Sequence, residues 1–257
     1  MRILAFTPTW DDAMSPETRA SMEAQQFDGK LDWVVSKDNP YPVPDHRNVC
    51  WQYHIGRKRC LKGNWDAMLT LEHDIVLPDP LAVQRLAETP GDVVYGVYVL
   101  RHGAYVLNAW EYINDHALGE SLSLHPEKAA PLENGGTVRV SGIGWGCTLI
   151  HRHVLEMFPI PESDSENPAH DITFAMECNK ARLMMMAQFG VQCGHVTRHG
   201  TLWPYHAEAS VFRTVRARYT MNIWENQSSV HIVAGEEYRL LAETAINLER
   251  ANYVEIL

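Results

Sequence analysis

Four short apolar runs in the first hundred residues, 2–7, 31–36, 67–71 and 93–100, are separated by stretches that suit helices. Pro8 stops the first run and Lys37-Asp38-Asn39-Pro40 stops the second, while the third ends on Glu72-His73-Asp74. The intervening segments 16–27, 45–61 and 80–88 are long enough for helices, and Ser15 before Pro16 supplies an N-cap with a first-turn proline. Strand and helix alternating in this way predict an α/β fold with a mostly parallel sheet. In such sheets ligands gather at the carboxyl ends of the strands, where the acidic triplet falls.

The chain has 257 residues, 46% of them hydrophobic, enough for one sizeable core. The opening MRILAFTPTW lacks the long apolar stretch and cleavage site of a signal peptide. No apolar run approaches the roughly 20 residues that cross a bilayer. A soluble cytoplasmic protein is expected. Five scattered cysteines with no C-x-x-C indicate neither a zinc cluster nor a disulfide framework. A net charge of −10 disfavours broad contact with a nucleic-acid backbone, and Arg57-Lys58-Arg59 fits a solvated helix face.

Further along, residues 108–137 mix Gly, Pro, Asn and charges and read as an irregular excursion. The stretch VRVSGIGWGCTLIHRHVLEMF brings a glycine-spaced turn at 142, 144 and 146, a strand over 147–150 and a helix from Val154. The glycines suit either close approach to a ligand or a tight bulge. After a proline- and acid-rich loop, 159–168, a helix is predicted over 172–189, with Met184-Met185-Met186 as core packing. A short strand over 191–196 carries His195. Residues 236–249 place Tyr238, Leu241, Ala245 and Leu248 at helical spacing.

Two carboxylates one residue apart at a strand end can share a hard divalent cation, and such a cation is chiefly useful for holding phosphate. Asp171 before a helix fits an N-cap as well as a base. His195 fits a core histidine as well as a ligand, and Trp145 fits core filling as well as stacking on a sugar. Asp11 and Asp12 read as solvated loop acids, and His151, His153, His199 and His206 form no hydrolytic zinc spacing.

The order of these features from Arg2 to about His199 resembles GT-A fold glycosyltransferases, especially the family 2-like group with its short phage and bacterial forms. The resemblance implies a Rossmann-like α/β/α sandwich over residues 1–205. The partly helical extension, 206–257, would pack on the body or at a homodimer interface. It implies a nucleotide pocket from Thr7, Pro8, Thr9 and Asp38, with Arg47 of Arg47-Asn48 near the nucleotide. Glu72-His73-Asp74 stands at the D-x-D position, which binds Mn²⁺ or Mg²⁺ through the donor diphosphate. Gly144, Trp145 and Gly146 follow the glycine-aromatic segment, Asp171 the catalytic acid and His195 the late metal ligand. Glu72 departs from the commoner Asp, so the longer side chain reaches either the metal or the ribose, and Asp74 is the safer ligand.

The activity implied is metal-dependent transfer of a sugar, with inversion, from a nucleotide sugar such as a UDP-sugar to a hydroxyl. The acceptor classes are a glycan, a protein, a small molecule or a modified base. Two alternatives remain at this point. One is a nucleotidyltransferase of similar fold, although residues 7–12 contain no Gly or Lys to cradle a triphosphate. The other is a non-catalytic nucleotide-sugar-binding protein.

Overall fold

The computed structural model describes residues 1–10, 13–42, 45–100, 107–122, 136–160, 170–198, 200–204, 212–225, 228–241, 245, 248–249 and 251–256. Asp11, Asp12, most of the 159–168 loop, His199 and His206 lie outside them.

The chain opens with β1 (Arg2–Pro8), α1 (Pro16–Glu23), β2 (Lys30–Ser36), α2 (His46–Lys62) and β3 (Ala67–Leu71). Then come β4 (Ile75–Val76), α3 (Ala82–Glu88), β5 (Val93–Val97), β6 (Ala109–Asn114), β7 (Ala117–Ser121), β8 (Thr137–Ile143) and β9 (Cys147–His151). The body closes with α4 (Arg152–Met157), α5 (His170–Lys180), β10 (Met185–Gln192), β11 (Gly194–Thr197) and β12 (Gly200–Leu202). A nine-stranded sheet runs β2-β1-β3-β9-β5-β10-β8-β6-β7. From β2 to β10 five strands point one way, and β9 is inserted antiparallel between β3 and β5. β8, β6 and β7 continue the sheet antiparallel.

Sequence explains much of this directly. Every residue of β3 and β5 is buried, as continuous apolar runs require when both faces of a sheet are covered. α1 begins where Ser15 accepts the Thr18 amide at 2.9 Å, with Pro16 behind it. α2 begins at Asp45, which accepts the Arg47 amide. It packs on β1 through Gly56, where a Cβ would stand 2.8 Å from Phe6 Cγ. Its carboxyl end is held by Arg152, whose guanidinium donates to the carbonyls of Cys60, Leu61, Gly63 and Trp65.

Three expectations change. Residues 108–137 include a hairpin, β6–β7, that extends the sheet and docks on β8. The helix expected over 172–189 is only α5, and Met185 and Met186 belong to sheet strand β10. Of Met184-Met185-Met186 only Met185 is fully buried while Met184 is 39% exposed, so the core-packing expectation holds for Met185 and fails for Met184. Arg182 ends α5 at φ +60°, with its amide bonded to Asn179 O and that of Leu183 to Cys178 O. That is a helix-terminating turn with Arg where Gly is usual.

The third change is in the tail, where β13 (Phe212–Ala217), β14 (Met221–Glu225), β15 (Ser228–Ile232), β16 (Glu237–Leu241) and β17 (Val254–Ile256) form small antiparallel sheets. Only positions 245 and 248–249 are helical among the described residues of the 236–249 segment. Val215, Ala217, Ile223, Ile232, Ala245 and Val254 form a hydrophobic cluster of their own. Among the described residues no helix is long and apolar enough to cross a membrane.

Candidate functional site at the carboxyl edge of the sheet

Four parallel strands release their chains at one edge: β1 into Thr9, β2 into Asp38, β3 into Glu72 and β5 into Tyr98. The first two loops are stitched together. Thr9 donates through N–H and Oγ1 to Ser36 O, at 2.9 and 2.8 Å. Gln52, fully buried on α2, accepts from the Thr9 amide at 3.0 Å and donates to Thr9 O at 3.0 Å and Asn39 Oδ1 at 2.9 Å. Thr7 is buried and accepts from Trp33 Nε1, and Pro8 is buried beside it. Asp38 is exposed and accepts from Trp51 Nε1 at 3.3 Å.

Arg47 lies at the start of α2 with its guanidinium against Asp45 at 2.6 Å and over the ring of Tyr41 at 4.3 Å. Hydrogen bonds from Arg47 hold the Asp45 carboxyl down at about 2. Asn48 is fully buried and bonds both the N–H and the carbonyl of Tyr41, which fixes the loop before the helix.

The acidic triplet divides its roles. β4 pairs with β11, setting Ile75 opposite His195, and the Val196 amide donates to Asp74 O at 2.8 Å. This register brings two buried side chains together: His195 Nε2 stands 3.7 Å from Asp74 Oδ2. His195 Nδ1 is 2.6 Å from Val99 O. A carbonyl only accepts, so Nδ1 carries hydrogen, and Nε2 is the nitrogen that faces the Asp74 side. His73 flanks Asp74 at 3.9 Å. Among the described residues, no three His, Cys, Asp or Glu side chains form a group able to hold a metal ion.

Glu72 donates its amide to Gly146 O at 2.9 Å, which ties the triplet to the glycine turn. Gly144 and Gly146 do not have left-handed backbones, and what makes them glycine is space. A Cβ on Gly146 would sit 2.6 Å from Tyr98 Cζ, and one on Gly144 would overlap Asn108 Nδ2 and the Tyr98 hydroxyl. Trp145 between them is 1% exposed, edge to face with Tyr53, His170 and Phe174 at 5.0–5.3 Å. Its ring is a wall under the site in this state, with no face open for stacking.

Asp171 lies in the first turn of α5, where its Oδ1 accepts the Ile172 amide at 2.8 Å. Burial raises its pKa above the usual carboxylate value, opposed by the neighbouring His170. Burial also pushes the phenols of Tyr53 and Tyr98 well up, and the carboxylates of both Glu72 and Asp171 add to this.

Sequence reasoning missed Gln52, Tyr53, Tyr98, Asn108 and the carbonyl of Val99. Gln52 follows Asn48 by one helical turn, a readable signal of a polar stripe inside an amphipathic helix. Asn108 falls in a segment with no periodicity to mark it.

No protein-family model matches the chain, and no curated protein matches it. Among solved structures, A197 from STIV aligns over 80% of this chain and 91% of its own, with 18% identity and a TM-score of 0.51. The mannosyltransferase PcManGT from Pyrobaculum calidifontis, solved in complex with GDP-Man and Mn²⁺, aligns over 77% of this chain and 58% of its own, with 14% identity and a TM-score of 0.45. CMP:2-keto-3-deoxy-manno-octonic acid synthetase, complexed with CTP, aligns over 73% and 89%, with 13% identity and a TM-score of 0.42. The fold is a mixed α/β, Rossmann-like fold of the GT-A kind. The comparisons define the fold class and do not reach family 2.

Proposed function

We propose that the protein is a metal-dependent glycosyltransferase that moves a sugar, with inversion, from a nucleotide sugar to a hydroxyl acceptor, and that the donor is a UDP-sugar. The observation that carries this reading is the buried Asp74–His195 pair, 3.7 Å apart at the carboxyl edge of the sheet, with the imidazole oriented by Val99 O. A carboxylate beside an imidazole whose far nitrogen is tied to a carbonyl is a donor set suited to a divalent cation. Asp74 and His195 would hold the cation from the protein side, where it would face the diphosphate of a bound donor. The mixed oxygen and nitrogen set favours Mn²⁺ over Mg²⁺. When bound, the cation supplies Lewis-acid neutralisation of the charge that develops on the departing diphosphate.

The chain's own residues have separate tasks. Thr7, Pro8, Thr9 and Asp38 border the base and ribose, and Arg47, paired with Asp45 in this structure, turns its guanidinium to the nucleotide when the donor binds. Glu72 reaches the ribose or the metal, His73 flanks the phosphates, and the Gly144–Trp145–Gly146 segment borders the sugar side through its backbone, with the Trp145 ring packed behind it. Asp171 takes the acceptor hydroxyl proton as that oxygen bonds the anomeric carbon. The bond from that carbon to the diphosphate breaks, and its electron pair stays on the phosphate oxygen. A carboxylate whose pKa is raised by burial is the better base for this step. Residues 1–205 carry the chemistry in this reading, and 206–257 serve packing or dimerisation. Five buried free cysteines fit a reducing compartment such as the cytoplasm.

The test is thermal stability against a panel of nucleotides and nucleotide sugars, each with Mn²⁺, Mg²⁺ or chelator, repeated on Asp74→Ala. A ligand at 100 times its Kd adds about 2.7 kcal/mol, or roughly 5–10 °C at this size. The expected result is a metal-dependent shift with one sugar nucleotide, lost in the variant. No shift with any donor overturns the reading, and pyrophosphate release from a nucleoside triphosphate moves it to nucleotidyl transfer.

A further inference from the structure

We infer that Tyr98 is the positioning residue of this site, setting the acidic triplet and the metal-ligating histidine from one side chain. The inference rests on the donor-site reading above. Tyr98 leaves the carboxyl end of β5 and is buried. Its hydroxyl oxygen is held from two directions, accepting the Gly146 amide at 3.1 Å and Asn108 Nδ2 at 2.5 Å. Asn108 is itself fixed, because its amide donates to the Tyr98 carbonyl at 3.0 Å.

Gly146 passes this constraint on from its amide to its carbonyl, which accepts the Glu72 amide at 2.9 Å. Phenol, Gly146 and first acid of the triplet thus form one chain of contacts. On its other side the Tyr98 ring meets the His195 imidazole at 5.5 Å and 89°. That contact and the Val99 carbonyl together fix the plane in which Nε2 faces Asp74. Gly144 and Gly146 are the space this arrangement needs, because a Cβ at either would collide with Tyr98. Tyr98 touches no reacting atom in this account and acts through Gly146 and His195.

Three variants test the inference, with UDP and Mn²⁺ as the probe. Tyr98→Phe keeps the ring and removes the oxygen, and Asn108→Ala removes one of the two hydrogen bonds and keeps the phenol. Tyr95→Phe is the control: Tyr95 is an equally buried phenol at 5.6 Å from Tyr98, bonded only to the Tyr98 amide at 3.4 Å among the described residues. Affinity for Mn²⁺ with UDP is expected to fall about tenfold in Tyr98→Phe, about threefold in Asn108→Ala and not at all in Tyr95→Phe. Amide exchange at Gly146 and Glu72 should quicken in the first two variants only. Parent-like affinity and exchange in both Tyr98→Phe and Asn108→Ala overturn the inference, as does an equal loss of affinity in Tyr95→Phe. A parent protein that binds no Mn²⁺ and UDP overturns the donor-site reading itself, a separate outcome read before any variant.

Discussion

Gly144→Ala separates two explanations for the glycine spacing, packing against protein and approach of a ligand. The backbone at Gly144 is compatible with alanine, so the cost of a methyl group is steric. Its Cβ would stand 2.6 Å from Asn108 Cγ and overlap Asn108 Nδ2 and the Tyr98 oxygen. Asn108 must swing away, which loses its 2.5 Å hydrogen bond to Tyr98, a net of about 0.5–1.5 kcal/mol. Overpacking a full site costs about 1–3 kcal/mol more. The sum is centred near 3 kcal/mol, or roughly 6–12 °C in Tm at this size. The assay is urea unfolding with a matched thermal scan, run in the parent and in a Tyr98→Phe, Asn108→Ala background. Removing the obstructing atoms should abolish the penalty, because Gly→Ala at a compatible backbone is neutral or stabilising by about 0.4–1 kcal/mol. An undiminished penalty in that background would refute the packing account and leave the glycine to some other requirement.

Two further predictions concern Asp171. Because burial raises its folded-state pKa, the stability it contributes is complete below the unfolded value near 4 and is lost as pH rises through the folded value. Asp171→Asn keeps an oxygen for the Ile172 amide and removes the buried charge. It should therefore raise Tm at pH 7 by a few degrees, from about 1 kcal/mol, with the gain vanishing near pH 3–4 in a pH series of thermal scans. A lower Tm at pH 7 would contradict the burial argument. The same variant should lose roughly 100-fold or more in turnover, measured as UDP release with an identified acceptor, and full turnover would remove Asp171 as the base.

The body of the fold was legible because its strands are short apolar runs with hard stops. Pro8, Pro40 and the acidic triplet each mark a strand end that the structure shares to within a few residues. β10 was not, because Met185–Gln192 follows α5 without a glycine or proline between them, and Arg182 supplies the left-handed turn that glycine usually marks. The tail failed for a different reason. Tyr238 and Ala245 suit a helical stripe, yet Tyr238 lies in β16 opposite Val215, so tertiary pairing overrode the local pattern. At the site, Asp74 and His195 were both named from sequence, but their 3.7 Å approach depends on β4 pairing with β11 across more than a hundred residues. Tyr98 and Asn108 bear on the site only through contacts, which no local spacing announces.

The account stands or falls on whether Asp74 and His195 jointly hold a cation with a nucleotide. Electron paramagnetic resonance of Mn²⁺ titrated into the full chain, with and without UDP, measures this directly in the parent, Asp74→Ala and His195→Ala. The account predicts one site that tightens with UDP and weakens in both variants by at least the roughly 10–100-fold that lesser changes around metal sites cause. UDP-coupled Mn²⁺ binding that survives unchanged in both variants, or that never occurs in the parent, would contradict it.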